Sequence, residues 1–157
     1  MSIAARLAHA PFEPARELAE FIGALAGDGA VASFVGIARG RSGSGGEVLR
    51  LFLDHHPRLT LLSMEEIGAA AARRFSLGAV LIVHRCGEVL PGEPIVFVAA
   101  ASPHRRAAFE AVDCMMDRLK SEAVFWKRED AVDGSRWIEP TVRDRADRAR
   151  WSDDCPE

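Results

Sequence analysis

The sequence has only three cysteines, no long apolar run and little net charge, and each of these scarcities excludes a class of protein. The cysteines, Cys86, Cys114 and Cys155, are odd in number and widely spaced, which excludes a disulfide framework or a local zinc knuckle and is typical of a reducing cytosol. No apolar run approaches the ~18 residues of a membrane-spanning helix. The first residues also lack the basic start and apolar stretch of a secretory signal. We therefore expect a cytoplasmic protein.

The composition is that of one globular domain. The 157 residues are 48% hydrophobic and 27% charged, which is enough apolar material for a core and too much for a disordered chain. A net charge of −3 disfavours a general nucleic-acid binder and leaves room for a local basic site. We expect a single domain over residues 1–140, followed by a polar tail over 141–157 that is mobile or weakly helical.

The spacing of apolar residues predicts alternating helices and pairs of strands. Helices are predicted over 14–26, 57–75 and 103–120, and strands over 30–37, 47–54, 79–84, 95–101, 124–128 and 135–139. The run over 30–37 is apolar on both alternating faces, which indicates a central strand. Strand pairs with helices between them favour an α+β sandwich, with a mixed or antiparallel sheet and packed helices, over a doubly wound parallel sheet.

A basic helix start follows the strand over 95–101. Ser102 and Pro103 are typical of a helix N-cap and first turn, and His104 and Arg105 come directly after them. Cations are disfavoured at the positive end of a helix dipole, unless an anion binds there and reverses the sign. The alternative is a solvated turn, or an ion pair with Glu110 one turn along.

Two lysines flank the bulky pair Phe125-Trp126. Lys120 ends the predicted helix over 103–120, and Lys127 follows a turn later. Lysines beside apolar groups and beside each other have lowered pKa values, and such a lysine can act as a base, nucleophile or oxyanion partner. The alternative is a pair of surface lysines whose stems lie along apolar surface while their charged ends reach water.

Arg39 comes just after the strand over 30–37, where a rigid scaffold could present it to a phosphate. The alternative is a solvated loop residue.

The following glycine-rich loop, 40–46, lacks the Gly-Lys-Ser/Thr ending of a phosphate loop and precedes a strand. His55 and His56 point to opposite faces of a strand and cannot share one metal ion. We expect no metal site and no cofactor, and any sulfur chemistry would use sulfur from elsewhere because no cysteine lies in an activating motif.

The predicted helix over 103–120 separates the two basic sites. At ~1.5 Å per residue, His104 and Lys120 lie about 24 Å apart. Either they serve different sites, or a two-fold dimer brings His104 and Arg105 of one chain to Lys120 and Lys127 of the other. We favour the dimer.

Short motifs in a fixed order run from about Gly29 to Trp137. They are GAVASFVG at 29–36 with Arg39-Gly40, LDHHP at 53–57, VHRCGE at 83–88, PGE at 91–93, SPHR at 102–105, MDRLK at 116–120, FWKRE at 125–129 and DGSRW at 133–137. In order and spacing these motifs resemble the large, catalytic subunits of molybdopterin synthases. The chain departs from that family at His56, where tyrosine is frequent, and at Thr141, near which the family often has a substrate-binding arginine. Arg136 and Arg143 are candidates for that role.

The resemblance implies an α/β hammerhead-like fold and a sulfur-transfer activity. The family converts cyclic pyranopterin monophosphate, or precursor Z, to molybdopterin. Sulfur arrives as a C-terminal thiocarboxylate on a small ubiquitin-like carrier subunit with a Gly-Gly tail. Two large subunits form a homodimer with one carrier at each far end, giving a heterotetramer. A different class of function stays open, namely a non-catalytic module that docks a ubiquitin-like tail or binds a phosphorylated ligand.

The resemblance also implies which residues form the site. The implied catalytic residues are Lys120, as acid/base or transient acceptor of the carrier's carbonyl, and Lys127, which assists. The implied substrate-binding residues are Arg39, His104 and Arg105 for the phosphate, with Phe34 and Met116 as apolar walls.

Overall fold

The computed structural model describes residues 1–152, and Cys155 lies outside them. The elements in chain order are β1 (Ser2–Ala8), α1 (Pro14–Gly23), β2 (Ala30–Ile37), β3 (Val48–His55), α2 (Pro57–Arg74), β4 (Ala79–Arg85), β5 (Gly87–Val89), β6 (Pro94–Ser102), α3 (Arg105–Ser121), β7 (Phe125–Ala131), β8 (Gly134–Ile138) and α4 (Val142–Ala149). These elements form two four-stranded sheets with packed helices, so the predicted α+β class is confirmed. No helix in residues 1–152 combines the length and apolar character needed to cross a membrane.

The first sheet has the strand order β1-β4-β6-β2 and is mixed, because β1 runs parallel to β4 while the other pairs are antiparallel. Strand β2 is therefore an edge strand, and the prediction that 30–37 is central was wrong. Its apolar residues do not all enter the core of this chain: Ala32 is buried, whereas Phe34, Val35 and Ile37 are exposed. Apolar residues on both faces indicate only that both faces can be covered, not that a neighbouring strand lies on each side.

The main core lies between the first sheet and the pair α2 and α3. Successive side chains of a strand point to opposite faces, so Val80 and Ile82 of β4 pack in this core with Met115 of α3. Val83 packs on the other face of the sheet, in a smaller cluster with Phe21 of α1. Helices α2 and α3 therefore pack on one face of the first sheet, and α1 packs on the other.

The second sheet has the strand order β5-β3-β7-β8. Leu51 and Leu53 of β3 are buried in a third cluster with Val89. The antiparallel register of β3 and β7 sets Leu53 opposite Lys127 and His55 opposite Phe125. This pairing brings Lys127 to the edge of an apolar cluster, although the sequence around it is charged.

Several elements differ from the sequence prediction, and the short strand β5 was not predicted at all. Strand β1 was missed, although its alternating half-buried and exposed residues have the period of a strand. Helix α3 begins at Arg105 and not at Pro103, because Ser102 still belongs to β6, where it pairs with Ala30. The polar tail over 141–157, which was predicted to be mobile or weakly helical, contains the helix α4, and a capping box between Thr141 and Asp144 starts it.

Candidate active site

Lys127 is an amine of perturbed pKa in the second sheet. It lies half-buried in β7, and burial lowers its pKa because the charged form loses hydration. The positive charges of Arg39 and Lys120 lower the pKa further, while the carboxylates of Glu129 and Asp144 act in the opposite direction. The net direction is down, so a larger fraction of Lys127 is neutral at neutral pH than of an exposed lysine.

Lys120 lies in the last turn of α3, close enough for its charge to act on Lys127. Its side chain is 61% exposed, and its Nζ lies 3.4 Å from Oδ1 of Asp144. The amine is therefore open to a ligand arriving from solvent. An exposed pair at this distance is held loosely, and a competing anion can displace it.

Asp144 reaches Lys120 because of the way α4 begins. Its Oδ2 accepts hydrogen bonds from the backbone N–H of Thr141, at 2.8 Å, and from the Thr141 hydroxyl, at 2.7 Å. Burial raises the pKa of Asp144, but these hydrogen bonds and the charge of Lys120 outweigh burial and leave the pKa lowered. The carboxylate stays ionised and compensates part of the positive charge of the site.

His84 forms an uncharged wall beside Lys127. Its ring stacks on Phe125, with centroids 4.1 Å apart. Burial lowers the pKa of His84 to about 4, the charge of Lys127 adds to this effect, and the hydrogen bond to the carbonyl of Arg85 opposes it. Because a carbonyl oxygen only accepts, Nδ1 of His84 carries the proton in that 2.7 Å hydrogen bond. His84 is thus neutral at neutral pH.

The fold brings Arg39, Lys120 and Lys127 within electrostatic reach of one another. Arg39 follows β2, and Lys120 ends α3. A side chain on Gly29, just before β2, would meet the carbonyl oxygen of Pro103 at 2.9 Å, so β2 and α3 start side by side. Since β2 and α3 also pack against each other, both elements end near Lys127.

The fold does not bring His104 and Arg105 to the lysines of the same chain. Both are exposed at the start of α3, a single helix of 17 residues. At ~1.5 Å per residue the helix axis is about 26 Å long, so a small substrate cannot span it. Phe34 lies exposed on β2, and Met116 packs against the main core one turn before Lys120.

The two arginines that were considered as a replacement near Thr141 have different surroundings. Nε of Arg136 donates to Glu129 at 3.2 Å, whereas Arg143 is exposed and its Nε lies 3.8 Å from Asp147, which is a loose pair. Thr141 itself serves as the N-cap of α4.

Sequence reasoning did not find His84, Glu129 and Asp144 as neighbours of the lysines. A signal existed for Asp144, because Thr141-x-x-Asp144 is a capping pattern that predicts a helix start. No local pattern points from Glu129 or His84 to Lys127.

The arrangement suits chemistry on an anion. A cluster of cations raises the local concentration of a negatively charged substrate. A half-buried amine of lowered pKa can take up a proton, and an exposed lysine beside it can reach a carbonyl group, exchange a proton with it or stabilise an oxyanion.

Comparison with known proteins points to one family. Residues 7–122 match the family model of the MoaE protein. A molybdopterin synthase catalytic subunit from Caulobacter vibrioides is 48% identical over 145 residues, which cover 92% of this chain and 95% of the relative. The structure of a molybdopterin biosynthesis MoaE protein from Burkholderia ambifaria is similar with a TM-score of 0.79 at 38% identity, covering 96% of this chain and 98% of that one. A complex of subunits 1 and 2 of a molybdopterin-converting factor from Helicobacter pylori shares the fold, with a TM-score of 0.67 at 21% identity, covering 88% and 91%.

Proposed function

The chain belongs to the MoaE protein family, and we propose that it works as the catalytic subunit of a molybdopterin synthase. As such it is a sulfurtransferase of molybdenum cofactor biosynthesis. It transfers sulfur from the thiocarboxylated end of a ubiquitin-like carrier to cyclic pyranopterin monophosphate. The observation that carries the proposed site is the half-buried Lys127, with its lowered pKa, beside Lys120 and Arg39.

The two lysines have different environments, and we assign them different tasks. Lys120 is exposed, so the carrier's extended tail can reach its amine from solvent. It acts as the essential acid/base or as transient acceptor of the carrier's carbonyl. Lys127 is half-buried and more readily neutral, so it assists by moving the proton that sulfur attack on a substrate carbon requires. The chain's own cysteines are not needed, because the carrier brings the sulfur.

The phosphate of the substrate is held by Arg39 together with His104 and Arg105 of a second copy of the chain. A single chain separates His104 from Lys120 by the length of α3. The edge strand β2 exposes Phe34, Val35 and Ile37, and an uncovered apolar edge is a surface on which a second copy can pack. A two-fold homodimer would thus complete two sites, with Phe34 and Met116 as apolar walls. One carrier per site would make the assembly a heterotetramer.

The location proposed for this enzyme is the cytoplasm. Cys86 and Cys114 form no disulfide within the described part of the chain, which suits the reducing compartment predicted from the cysteine spacing.

Reconstitution tests the activity and its central lysine. The purified chain is mixed with a thiocarboxylated carrier and cyclic pyranopterin monophosphate, and product is followed as a fluorescent pterin after oxidation. We expect product from the wild type and none from Lys120→Ala, while both bind the carrier. If the wild type binds the carrier and gives no product, the chain is a docking module, and Thr141, near which the family often has an arginine, is the first residue to examine.

Mixing two inactive variants tests the shared site. Lys120→Ala and Arg105→Ala lie at opposite ends of α3, so in a mixed dimer one site carries both changes and the other carries neither. We expect partial recovery of activity on mixing after subunit exchange. An absence of recovery, in mixtures shown to contain mixed dimers, would mean that each chain forms its site alone.

A further inference from the structure

Three metal-ligating side chains from distant parts of the sequence meet outside the lysine site. They are His9, His55 and Cys86, and their ligand atoms all lie within 4.8 Å of one another. No short motif links them, because His9 follows β1, His55 ends β3 and Cys86 lies between β4 and β5. The sequence predicted no metal site since no local spacing of ligands is present.

Strand pairing fixes the positions of all three residues. Strands β1 and β4 run parallel with Ala8 opposite Arg85, and the backbone N–H of Cys86 donates to the carbonyl of Ala8 at 3.1 Å. This register sets His9 beside Cys86. Strand β3 pairs with β5 so that Leu53 lies opposite Gly87, the residue after Cys86. His55, two residues beyond Leu53, completes the group from the second sheet.

The distances are close to those of a coordinated ion. Sγ of Cys86 lies 3.3 Å from Nδ1 of His9, and the rings of His9 and His55 are 5.7 Å apart between centroids. In a tetrahedral site with Zn–S of about 2.3 Å and Zn–N of about 2.0 Å, ligand atoms are separated by about 3.3 to 3.6 Å. His9 is exposed and His55 is partly exposed, so small rotations of their rings can close the remaining gap. The buried Cys86 provides the fixed ligand.

We propose that His9, His55 and Cys86 form a site for one thiophilic divalent metal ion, such as Zn²⁺. Two imidazoles and one thiolate suit a borderline-soft ion and not Mg²⁺ or Ca²⁺, which take oxygen ligands. The fourth position is open to water from the exposed side of His9. An ion bound here ties the ends of β1 and β4, in the first sheet, to the end of β3 in the second sheet.

Binding releases one proton, because Cys86 must bind as the thiolate. Burial raises the pKa of the Cys86 thiol, and the charge of Arg85 opposes that effect. Arg85 itself pairs with Glu93 at 3.2 Å and donates to the carbonyl of Glu88 at 2.7 Å, so its charge is partly compensated. The ion replaces the thiol proton and forms the S–metal bond, with no change of oxidation state.

Titration of the full chain with Zn²⁺ and with Co²⁺ tests this site. The background variant is Cys155→Ser, which removes a competing thiol outside the described residues. We expect one ion per chain, a thiolate-to-cobalt charge-transfer band, and a rise in the melting temperature on adding Zn²⁺. His9→Ala removes an exposed ligand, and we expect at least about 100-fold weaker binding, since loss of even an outer-sphere partner costs 10- to 100-fold.

Cys86→Ala and Cys114→Ala form a matched pair, because both cysteines are buried and free but only Cys86 lies in the cluster. We expect the charge-transfer band to vanish in Cys86→Ala and to persist in Cys114→Ala. The proposal is overturned if the background variant shows no saturable 1:1 binding, or if His9→Ala binds both ions as tightly as the background. In either case the group is only a set of packed and hydrogen-bonded side chains.

Discussion

Replacement of His84 by glutamine should reduce the amount by which the free energy of unfolding falls at acidic pH. In the native state burial against Phe125 and the charge of Lys127 keep His84 neutral, with a pKa of about 4 in place of the ordinary 6.5. In the unfolded chain His84 binds a proton as the pH falls below 6.5. Between these two values the unfolded state holds one proton more than the folded state, so the free energy of unfolding falls as the pH falls.

The size of the effect follows from the two pKa values. One pH unit of separation corresponds to about 1.4 kcal/mol, so the full difference is about 3.4 kcal/mol. Lowering the pH from about 7 to about 4.5 covers most of the interval between the two pKa values. It should lower the free energy of unfolding by about 2.4 kcal/mol through His84 alone. The wild type should therefore lose about 2.4 kcal/mol more stability than His84→Gln over that interval, whatever the variant costs at neutral pH.

Urea unfolding at both pH values measures this difference. Other titrating groups contribute equally to both proteins and cancel in the comparison. His104→Gln is the matched control, because it makes the same substitution at an exposed histidine and so separates the buried position from the loss of a histidine as such. Equal losses in the wild type and in His84→Gln would refute the reasoning that burial keeps this imidazole neutral beside Lys127.

Two further substitutions test the elements around the site. Lys127→Arg keeps the positive charge but removes the readily neutral form, since guanidinium does not deprotonate in proteins. We expect product formation to fall at least tenfold with carrier binding retained, and unchanged turnover would show that only the charge matters. Thr141→Ala removes the N-cap of α4 and should lower the free energy of unfolding by about 1 kcal/mol, whereas Thr141→Ser should keep it. Equal stability of these two variants in urea would mean that the cap contributes nothing.

The period of the apolar residues was sufficient to predict most elements, because each helix or strand buries one face on a core. The helix over 57–75 and the strands over 30–37 and 79–84 match the structure within a residue or so. The predicted boundaries of elements were wrong where two neighbouring elements compete for the same residues. Pro103 is a good first helical residue, but the pairing of Ser102 with Ala30 extends β6 and delays the start of α3.

The candidate site was predicted only in part. Lys120, Lys127 and Arg39 were singled out by residue type, position and resemblance, and the fold gathers them. Asp144 was placed in the polar tail because the half-buried residues of α4, Asp144, Asp147 and Arg148, are all charged, so apolar spacing does not reveal the face that packs. His84 was not predicted as part of the site, because its stacking on Phe125 depends on contact between strands of the two sheets.

By itself the sequence determined the fold class, the family resemblance and the residue types of the site, since these depend on local period and on short motifs. Tertiary structure alone decided that β2 is an edge strand, that burial and neighbouring cations perturb Lys127, and that His9, His55 and Cys86 meet. The physical reason is that strand pairing acts between residues far apart in the chain. Hydrogen bonds of one register fix which side chains share a face, and neither composition nor spacing along the sequence records that register.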